Sequence, residues 1–164
     1  MKALAAVPFL ELGSRGYSHR AFAPRCYGLG LLTPAKMAAD IDESERTLAR
    51  YTAHPTRLFR FSGGGYNTDG LRASRLANVQ IVQYDVASGD AFGTCVSSIV
   101  AHTLNATRDG SIIVMHITGG NTAPLTPLAL PQIATGLRQR GFTLVTVSKL
   151  IADSSAVRRH EPGQ

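Results

Sequence analysis

The chain has 164 residues, of which 44% are hydrophobic and 17% charged. This composition excludes an intrinsically disordered chain, which buries too little apolar surface to fold, and the length predicts one globular domain with its own core. The net charge of +6 comes from 17 basic and 11 acidic residues that are scattered along the chain. Because nucleic-acid binding needs a clustered basic face, we expect no nucleic-acid partner.

Neither cysteine usage nor hydropathy indicates a special class of protein. Cys26 and Cys95 have no metal-binding spacing, so we expect both to be buried free thiols. No apolar run reaches the roughly 18 residues of a membrane-spanning helix. The apolar start is interrupted by Pro8 and Glu11, so we expect no signal peptide, and the compartment is left open.

The first half of the chain predicts two helices and one strand. Thr33 caps a helix that has Pro34 at its first position and ends near Tyr51. Residues 58–61 form a short apolar strand, which a serine–glycine run at 62–65 ends. A second helix is expected over 68–77.

The second half continues the alternation of strands and helices. Strands are expected over 79–84, 111–115 and 142–147, and helices over 94–104 and 131–140. Gly141 is placed to end the latter helix, and a short helix at 148–152 closes a domain spanning 1–152. Residues 153–164, with the basic cluster at 158–160, are expected to be a flexible tail. Strands alternating with helices predict an α/β fold around a parallel sheet, either open or closed into a barrel.

Polar residues follow three successive predicted strands. The run Ser62-Gly63-Gly64-Gly65 follows the first strand, Asp85 and Asp90 follow the second, and His116 follows the third. Ligands of parallel α/β folds bind where the carboxyl ends of the strands meet. An imidazole there can exchange a proton near neutral pH, and a carboxylate such as Asp90 favours its protonated form. The alternative for a lone histidine is a hydrogen-bonded core residue.

Arg60 precedes the glycine run within the first strand. By alternation its side chain shares a face with Leu58, so its guanidinium needs an anion near the strand end. The alternative is an edge strand from which Arg60 reaches solvent. This feature alone does not separate the two interpretations.

Three segments together resemble motifs of the polysaccharide deacetylase family, whose members contain NodB-homology domains and form carbohydrate esterase family 4. They are residues 60–67 (RFSGGGYN), 85–90 (DVASGD) and 112–116 (IIVMH). The segment 136–150 is similar to the family's closing helix and strand. Residues 11–19 resemble its His-x-x-Ser-His metal-binding motif.

The resemblance has departures that bear on the chemistry. His19 matches the second metal-binding histidine, but Arg15 stands where the first would be. The family's Thr-Phe-Asp-Asp-Gly motif, which supplies a base and a metal ligand, is absent. Ser62 stands where proline is usual, and Ala91 where tryptophan is frequent. We therefore expect only the later part of the family's domain, with zinc binding weak or absent.

The resemblance implies a partial distorted barrel of seven (β/α) units that lacks its first strands, and a metal-dependent hydrolase that removes acetyl groups from N-acetylated sugars. It implies that His116 protonates the leaving amine, that Asp90 tunes His116 and that Arg60 orients the base. Val114 would line the acetyl pocket, Ser62, Gly63 and Gly64 would border the substrate, and His19 would remain as a metal ligand.

Three functions are weighed against one another. The first is an impaired deacetylase-like hydrolase acting on N-acetylated oligo- or polysaccharides, and the second is a catalytically inactive carbohydrate-binding remnant. The third is an anion- or nucleotide-binding module built on residues 63–65, which lacks the Gly-Lys-Ser/Thr ending of a phosphate-binding loop. Missing first strands would leave an open sheet edge and make self-association possible.

Overall fold

The structure is a computed structural model that describes residues 2–7, 9–52, 55–117 and 125–160. Its helices and strands follow in the order α1 (Lys2–Ala5), α2 (Pro34–Ala49), β1 (Leu58–Phe59), α3 (Thr68–Leu76), β2 (Gln80–Ile81), β3 (Val86–Ala87), α4 (Val96–Ala106), β4 (Ile113–Val114), α5 (Thr126–Gln139) and α6 (Val147–His160). A short 3-10 turn, Ser62–Gly64, follows β1. The fold is α/β.

The chain divides into two compact units, Met1–Gln83 and Tyr84–Gln164. Each unit contains one pair of parallel strands whose connection includes a helix. In the first unit β1 pairs with β2, and in the second β3 pairs with β4. A strand–helix–strand connection is the usual way in which parallel neighbours are joined, as the sequence predicted.

The core of the first unit is built around aromatic residues of β1 and the segment after it. Phe59 and Phe61 are buried and contact Phe22 edge to face, with ring centroids 5.6 and 5.3 Å from that of Phe22. Met37 and Ile41 of α2 complete the same cluster because they lie on one face of that helix. Ser14 forms a parallel bridge with Phe59 on the edge of β1 opposite β2.

The predicted helices of the first unit are confirmed. Helix α2 begins at Pro34 after the extended Thr33, and it ends two residues before Tyr51. Helix α3 is capped by Asn67, whose side chain accepts a hydrogen bond from the amide of Gly70 at 2.9 Å. An oxygen-bearing side chain at this position satisfies an amide that the first turn leaves free.

The glycine run after β1 is required by close packing. A Cβ atom on Gly65 would lie 2.2 Å from Sγ of the buried Cys26. Gly63 has a φ of +66°, in the left-handed region, and Tyr27 lies 3.3 Å from where its Cβ would be. The absence of side chains in the glycine run therefore allows segment 26–29 to pack against the turn that follows β1.

The second unit has its own core between α4 and α5. Ile99 of α4 packs with Ala129, Ile133 and Leu137 of α5, and Ile113 of β4 lies against this cluster. Helix α5 ends before Gly141, which has a φ of +87° as expected of a residue that terminates a helix.

Several predicted boundaries in the later part of the chain, from residue 79 onward, are wrong. The strand expected over 79–84 is limited to β2, and a separate strand, β3, follows it at Val86–Ala87. Residues 142–146 form no strand, and α6 begins at Val147 and continues past the expected end at 152 to His160. Helix α5 begins five residues before the expected Pro131, because Pro127 occupies its first turn and Pro131 lies inside it.

The two cysteines differ from each other. Cys26 is buried, as predicted, but Cys95 is exposed, so the expectation of a buried thiol there is wrong. Cys95 lies at the extended position before α4, where its Sγ contacts the hydroxyls of Ser97 and Ser98 at 2.9 and 3.4 Å. Over the described part of the chain, no helix combines the length and hydropathy needed to cross a membrane.

Candidate active site

Asp90 and His116 form a hydrogen-bonded pair in the second unit. Oδ1 of Asp90 lies 2.8 Å from Nδ1 of His116, and Oδ2 accepts a hydrogen bond from the backbone N–H of His116 at 2.6 Å. Only 1% of the Asp90 side chain is exposed, whereas 31% of the His116 side chain is. The buried carboxylate of Asp90 thus holds the imidazole of His116, which is accessible to solvent.

The register of β3 and β4 brings the two residues together. Val86 pairs with Ile113 and Ala87 with Val114, so the strands run side by side in the same direction. The amide of Ser88 donates to the carbonyl of Val114 at 3.2 Å and continues this alignment. Asp90 and His116 each follow their strand by a few residues, and parallel strands end at the same edge of a sheet. This proximity was predicted from the sequence.

A third side chain, which sequence reasoning missed, fixes the Asp90 carboxylate. Thr126, the first residue of α5, donates its hydroxyl to Oδ2 of Asp90 at 2.7 Å and is itself buried. Burial raises the pKa of Asp90, but hydrogen bonds from His116, Thr126 and Ser88 lower it, and the net effect is a pKa below the ordinary value. Asp90 is therefore ionised at neutral pH.

The ionised carboxylate determines how the imidazole is oriented. Because a carboxylate only accepts hydrogen bonds, Nδ1 of His116 must carry the proton in the 2.8 Å contact with Asp90. The other ring nitrogen, Nε2, is then the atom that can gain or lose a proton. This arrangement can donate a proton to a leaving group, or accept one, from a fixed position.

Asp85, the other predicted carboxylate, has a different environment. Its Oδ1 accepts from the amide of Ile112 at 2.7 Å, and its Oδ2 accepts from the hydroxyl of Ser111 at 2.8 Å. These contacts lie at the start of β3 and β4, opposite the end that carries Asp90. Asp85 thus joins the beginnings of the two strands.

The remaining predicted site residue of the second unit, Val114, lies in β4 two residues before His116 and is half-buried. This is a position from which a side chain can contact a small acyl group. The role itself stays a prediction.

Arg60 and the glycine run belong to the first unit. The amide of Arg60 donates to the carbonyl of Ser14 at 2.9 Å, and the side chain is half-buried. Ser62 is completely buried, and its hydroxyl donates to the carbonyl of Arg15 at 2.7 Å, so it anchors the segment that carries Arg15. The predicted convergence of Arg60 with Asp90 and His116 stays a prediction, as do the substrate contacts of Ser62, Gly63 and Gly64.

The segment from Ser14 to His19 is held by two acidic residues of α2. The carboxylate of Asp40 accepts hydrogen bonds from the amides of Tyr17 and Ser18, both at 3.0 Å. The hydroxyl of the buried Ser14 donates to Oε1 of Glu45 at 2.7 Å. Helix α2 thereby determines where the side chains of Arg15 and His19 lie.

The surroundings of His19 do not fit a divalent metal ion. The guanidinium Nη2 of Arg15 contacts Nε2 of His19, a nitrogen through which a histidine binds metal. Desolvation lowers the pKa of His19, and the nearby charges of Arg15 and Arg60 lower it further. Across the described residues, no three His, Cys, Asp or Glu side chains are grouped as a metal site requires. The donor set around His19 therefore does not fit the zinc site that the family resemblance implies.

The comparisons with known proteins identify the family of this chain. The family model described as polysaccharide deacetylase matches residues 1–82, half of the chain, and this chain belongs to the polysaccharide deacetylase family. Among curated proteins, the peptidoglycan-N-acetylglucosamine deacetylase of Bacillus cereus is 30% identical over 118 residues, which are 71% of this chain and 54% of the relative.

Solved structures support the fold. A pseudoenzyme of carbohydrate esterase family 4 from Bacillus anthracis superposes with a TM-score of 0.72 at 17% identity, over 84% of this chain and 45% of that one. A family 4 acetyl xylan esterase from Clostridium thermocellum, solved with a cobalt ion, also gives 0.72, at 21% identity over 85% of this chain and 63% of that one. At these identities the likeness establishes the α/β fold alone. The chain spans about half the length of the B. cereus relative and of the B. anthracis structure.

Proposed function

We propose that this chain is a polysaccharide-deacetylase-like hydrolase that cleaves the amide bond of N-acetylated sugars, with its catalysis impaired. The observation that carries the proposal is the Asp90–His116 pair, in which a buried, ionised carboxylate orients an accessible imidazole. The family membership and the peptidoglycan deacetylase relative support N-acetylated polysaccharides as the substrate class. We also propose that the two parallel strand pairs belong to a distorted (β/α) barrel of the family type.

In this reaction His116 is the general acid. Water adds to the acetyl carbon and gives one proton to the solvent, the carbon–nitrogen bond breaks, and the products are acetic acid, which ionises to acetate, and the sugar amine. Nε2 of the protonated imidazole gives its proton to the amine nitrogen as that bond breaks. Asp90 keeps the ring in the required orientation through Nδ1 and stabilises its positive charge, and Thr126 holds Asp90.

The other predicted residues complete the proposal. Val114 lines a pocket for the acetyl methyl group, and Ser62, Gly63 and Gly64 border the sugar. Arg60 takes the position of the arginine that, in the family, orients the base that activates water.

We propose slow turnover because Arg15 stands in place of a metal-binding histidine and its guanidinium contacts Nε2 of His19. A metal ion bound there would polarise the acetyl carbonyl, and this pair of side chains does not fit one.

The experiment measures acetate released by the full chain from N-acetylated chitooligosaccharides, with and without added zinc. We expect slow release that is abolished in His116→Ala and reduced in Asp90→Asn. His102→Ala is the matched control, since His102 lies in the same unit and its Nε2 contacts the carbonyl of Ala87 at 3.0 Å. Release that persists unchanged in His116→Ala would contradict the proposal.

A second candidate function is a catalytically inactive carbohydrate-binding protein. The contact of the Arg15 guanidinium with Nε2 of His19 favours it, because a positive charge occupies the place of a metal ligand. This candidate predicts binding of acetylated chitooligosaccharides with no acetate release under any metal condition. Calorimetry of binding beside the acetate assay separates the two functions.

A further inference from the structure

Tyr66 presents one face of its ring to solvent next to the glycine run. Its ring is stacked on that of Phe61, with centroids 4.8 Å apart and an angle of 22° between the planes. Phe61 is completely buried, yet 46% of Tyr66 is exposed. Because one face of the tyrosine ring rests on Phe61, the exposed area belongs to the opposite face and the phenolic edge.

The position of this ring is fixed from behind. Phe61 contacts Phe22 and Phe59 edge to face, with centroids 5.3 and 5.0 Å apart. Aromatic side chains packed in this way are held close to a single arrangement. Tyr66 is therefore supported by the core of the first unit.

The backbone around Tyr66 is fixed as well. Tyr66 forms a parallel bridge with Phe22, and the following Asn67 caps helix α3. A Cβ on Gly70 would lie 3.2 Å from the Phe61 ring and 3.5 Å from Cβ of Tyr66, so the start of α3 packs tightly against the Phe61 ring and the base of the Tyr66 side chain. A preorganised ring loses little conformational entropy when a ligand binds.

The surroundings of the ring are polar. Asn67, Thr68 and Asp69 are all exposed beside it, and the glycine run lies on its other side in the sequence. On the α3 side of the ring, these polar residues do not form the contiguous apolar surface that is typical of a protein-docking patch. A pyranose ring offers an apolar C–H face surrounded by hydroxyl groups, and an aromatic face with polar neighbours matches it.

We propose that the exposed face of Tyr66 is a sugar-stacking subsite that binds a pyranose ring of an N-acetylated glycan. The inference rests on the proposed function for its substrate class, and it adds a specificity-determining residue in the first unit. Tyr27 adds a second aromatic ring at the glycine run, being 71% exposed and 3.3 Å from where a Gly63 Cβ would lie. Tyr66 contributes affinity for the glycan and takes no part in proton transfer.

The test measures binding of the N-acetylglucosamine tetramer to the full chain by calorimetry and NMR. Tyr66→Leu keeps an apolar side chain on Phe61 but removes the aromatic face, and we expect it to weaken binding about tenfold. Tyr66→Phe retains the ring and should bind nearly as the unmodified chain does. Tyr51→Leu is the matched control, because Tyr51 is a partly exposed tyrosine of the same unit at the end of α2.

A second measurement keeps the test independent of how the variants fold. Sugar protons over an aromatic face shift upfield, and those of the bound tetramer should show contacts with the Tyr66 ring in the unmodified chain. Equal binding by Tyr66→Leu and the unmodified chain, or the absence of ring contacts in the bound state, would overturn this inference. The proposed function is tested separately by the acetate assay and would not be affected. Failure of the unmodified chain to bind any N-acetylated glycan would overturn both.

Discussion

Both oxygens of the Asp90 carboxylate are bound by His116, one through the imidazole at 2.8 Å and one through the backbone amide at 2.6 Å. This double contact fixes the ring and the chain that carries it at the same time. Thr126 adds a third hydrogen bond from helix α5. The Asp90 carboxylate thus also connects the segment after β4 to α5. Its role in catalysis and its role in stability can be measured separately.

Replacing Asp90 by Asn should lower the free energy of unfolding by about 1–3 kcal/mol. Three donors now meet the two carboxylate oxygens, and an amide group replaces one of these oxygens by a donor, so at least one buried hydrogen bond is lost. Urea unfolding measures the effect, with the exposed Asp109→Asn as the control, for which we expect no change. A stability equal to that of the unmodified chain would contradict the buried network.

The contribution of Asp90 should also depend on pH. Its pKa in the folded chain lies below the ordinary carboxyl value of about 3.9, so the unfolded chain binds the proton more readily. The stabilisation is therefore fully present above that ordinary value and is lost as the pH falls through it toward the lowered pKa. Urea unfolding from pH 7 to pH 2.5 should show the difference between the unmodified chain and Asp90→Asn shrinking below about pH 4. A difference that is constant over this range would argue against an ionised Asp90.

Gly65→Ala should destabilise the first unit by about 1–3 kcal/mol, because the added methyl group would overlap Sγ of Cys26, 2.2 Å away. Backbone strain is not involved, since Gly65 has a φ of −87°. Cys26→Ala removes the overlapping sulfur, so the double variant should recover much of the loss. A thermal-unfolding cycle of the four proteins measures this coupling. Additive effects would show that the two residues do not meet.

Cys95 should react rapidly with iodoacetamide near neutral pH. Hydrogen bonds from Ser97 and Ser98 lower the pKa of Cys95 to about 7, and the thiol is exposed. Mass spectrometry of the alkylated chain should show a rate that rises with a midpoint near pH 7, with Cys26 protected by burial. The double variant Ser97→Ala, Ser98→Ala should move that midpoint upward. Equal labelling of both cysteines would contradict the described burial.

Zinc should bind the unmodified chain far more weakly than it binds a three-ligand site, because Arg15 contacts the nitrogen of His19. Arg15→His removes the positive charge and adds a ligand, but a third ligand is still missing from the described residues, so affinity should rise by no more than about tenfold. Calorimetry measures both proteins, with Arg50→His as the control for an added histidine elsewhere. Tight zinc binding by the unmodified chain would contradict the alignment of Arg15 with a metal-binding histidine.

The sequence predicted the Asp90–His116 pair because its signal is local. His116 follows the apolar segment expected as a strand, and parallel strands end at a common edge. Asp90 was expected after a strand over 79–84, whereas the strand that it follows and that pairs with β4 is β3. Thr126 could not be predicted in the same way, since it joins the site from a helix whose start the sequence placed at Pro131. A proline favours the first turn of a helix, and here Pro127 occupies that turn. The threonine–proline pair at 126–127 was the feature of the sequence that indicated the start of this helix.

Other errors follow from interactions that a single segment does not reveal. The alternating residues of 142–147 resemble a strand, but they form no ladder with another described strand, and a strand requires a partner for its amides and carbonyls. Cys95 was expected to be buried because cysteines usually are. Its position before α4 instead places it beside two serine hydroxyls at the surface.

The contacts of Asp85 and Asp90 make the length of the segment between them critical. Asp85 is bound to Ile112 where β3 and β4 begin, and Asp90 is bound to His116 where they end. Gly89, with a φ of +78°, takes up the one extra residue on the β3 side. An insertion or deletion between the two aspartates would preserve one of these contacts only by breaking the other. Point substitutions at the exposed Ala87 should therefore be tolerated, whereas changes of length in 86–89 should not.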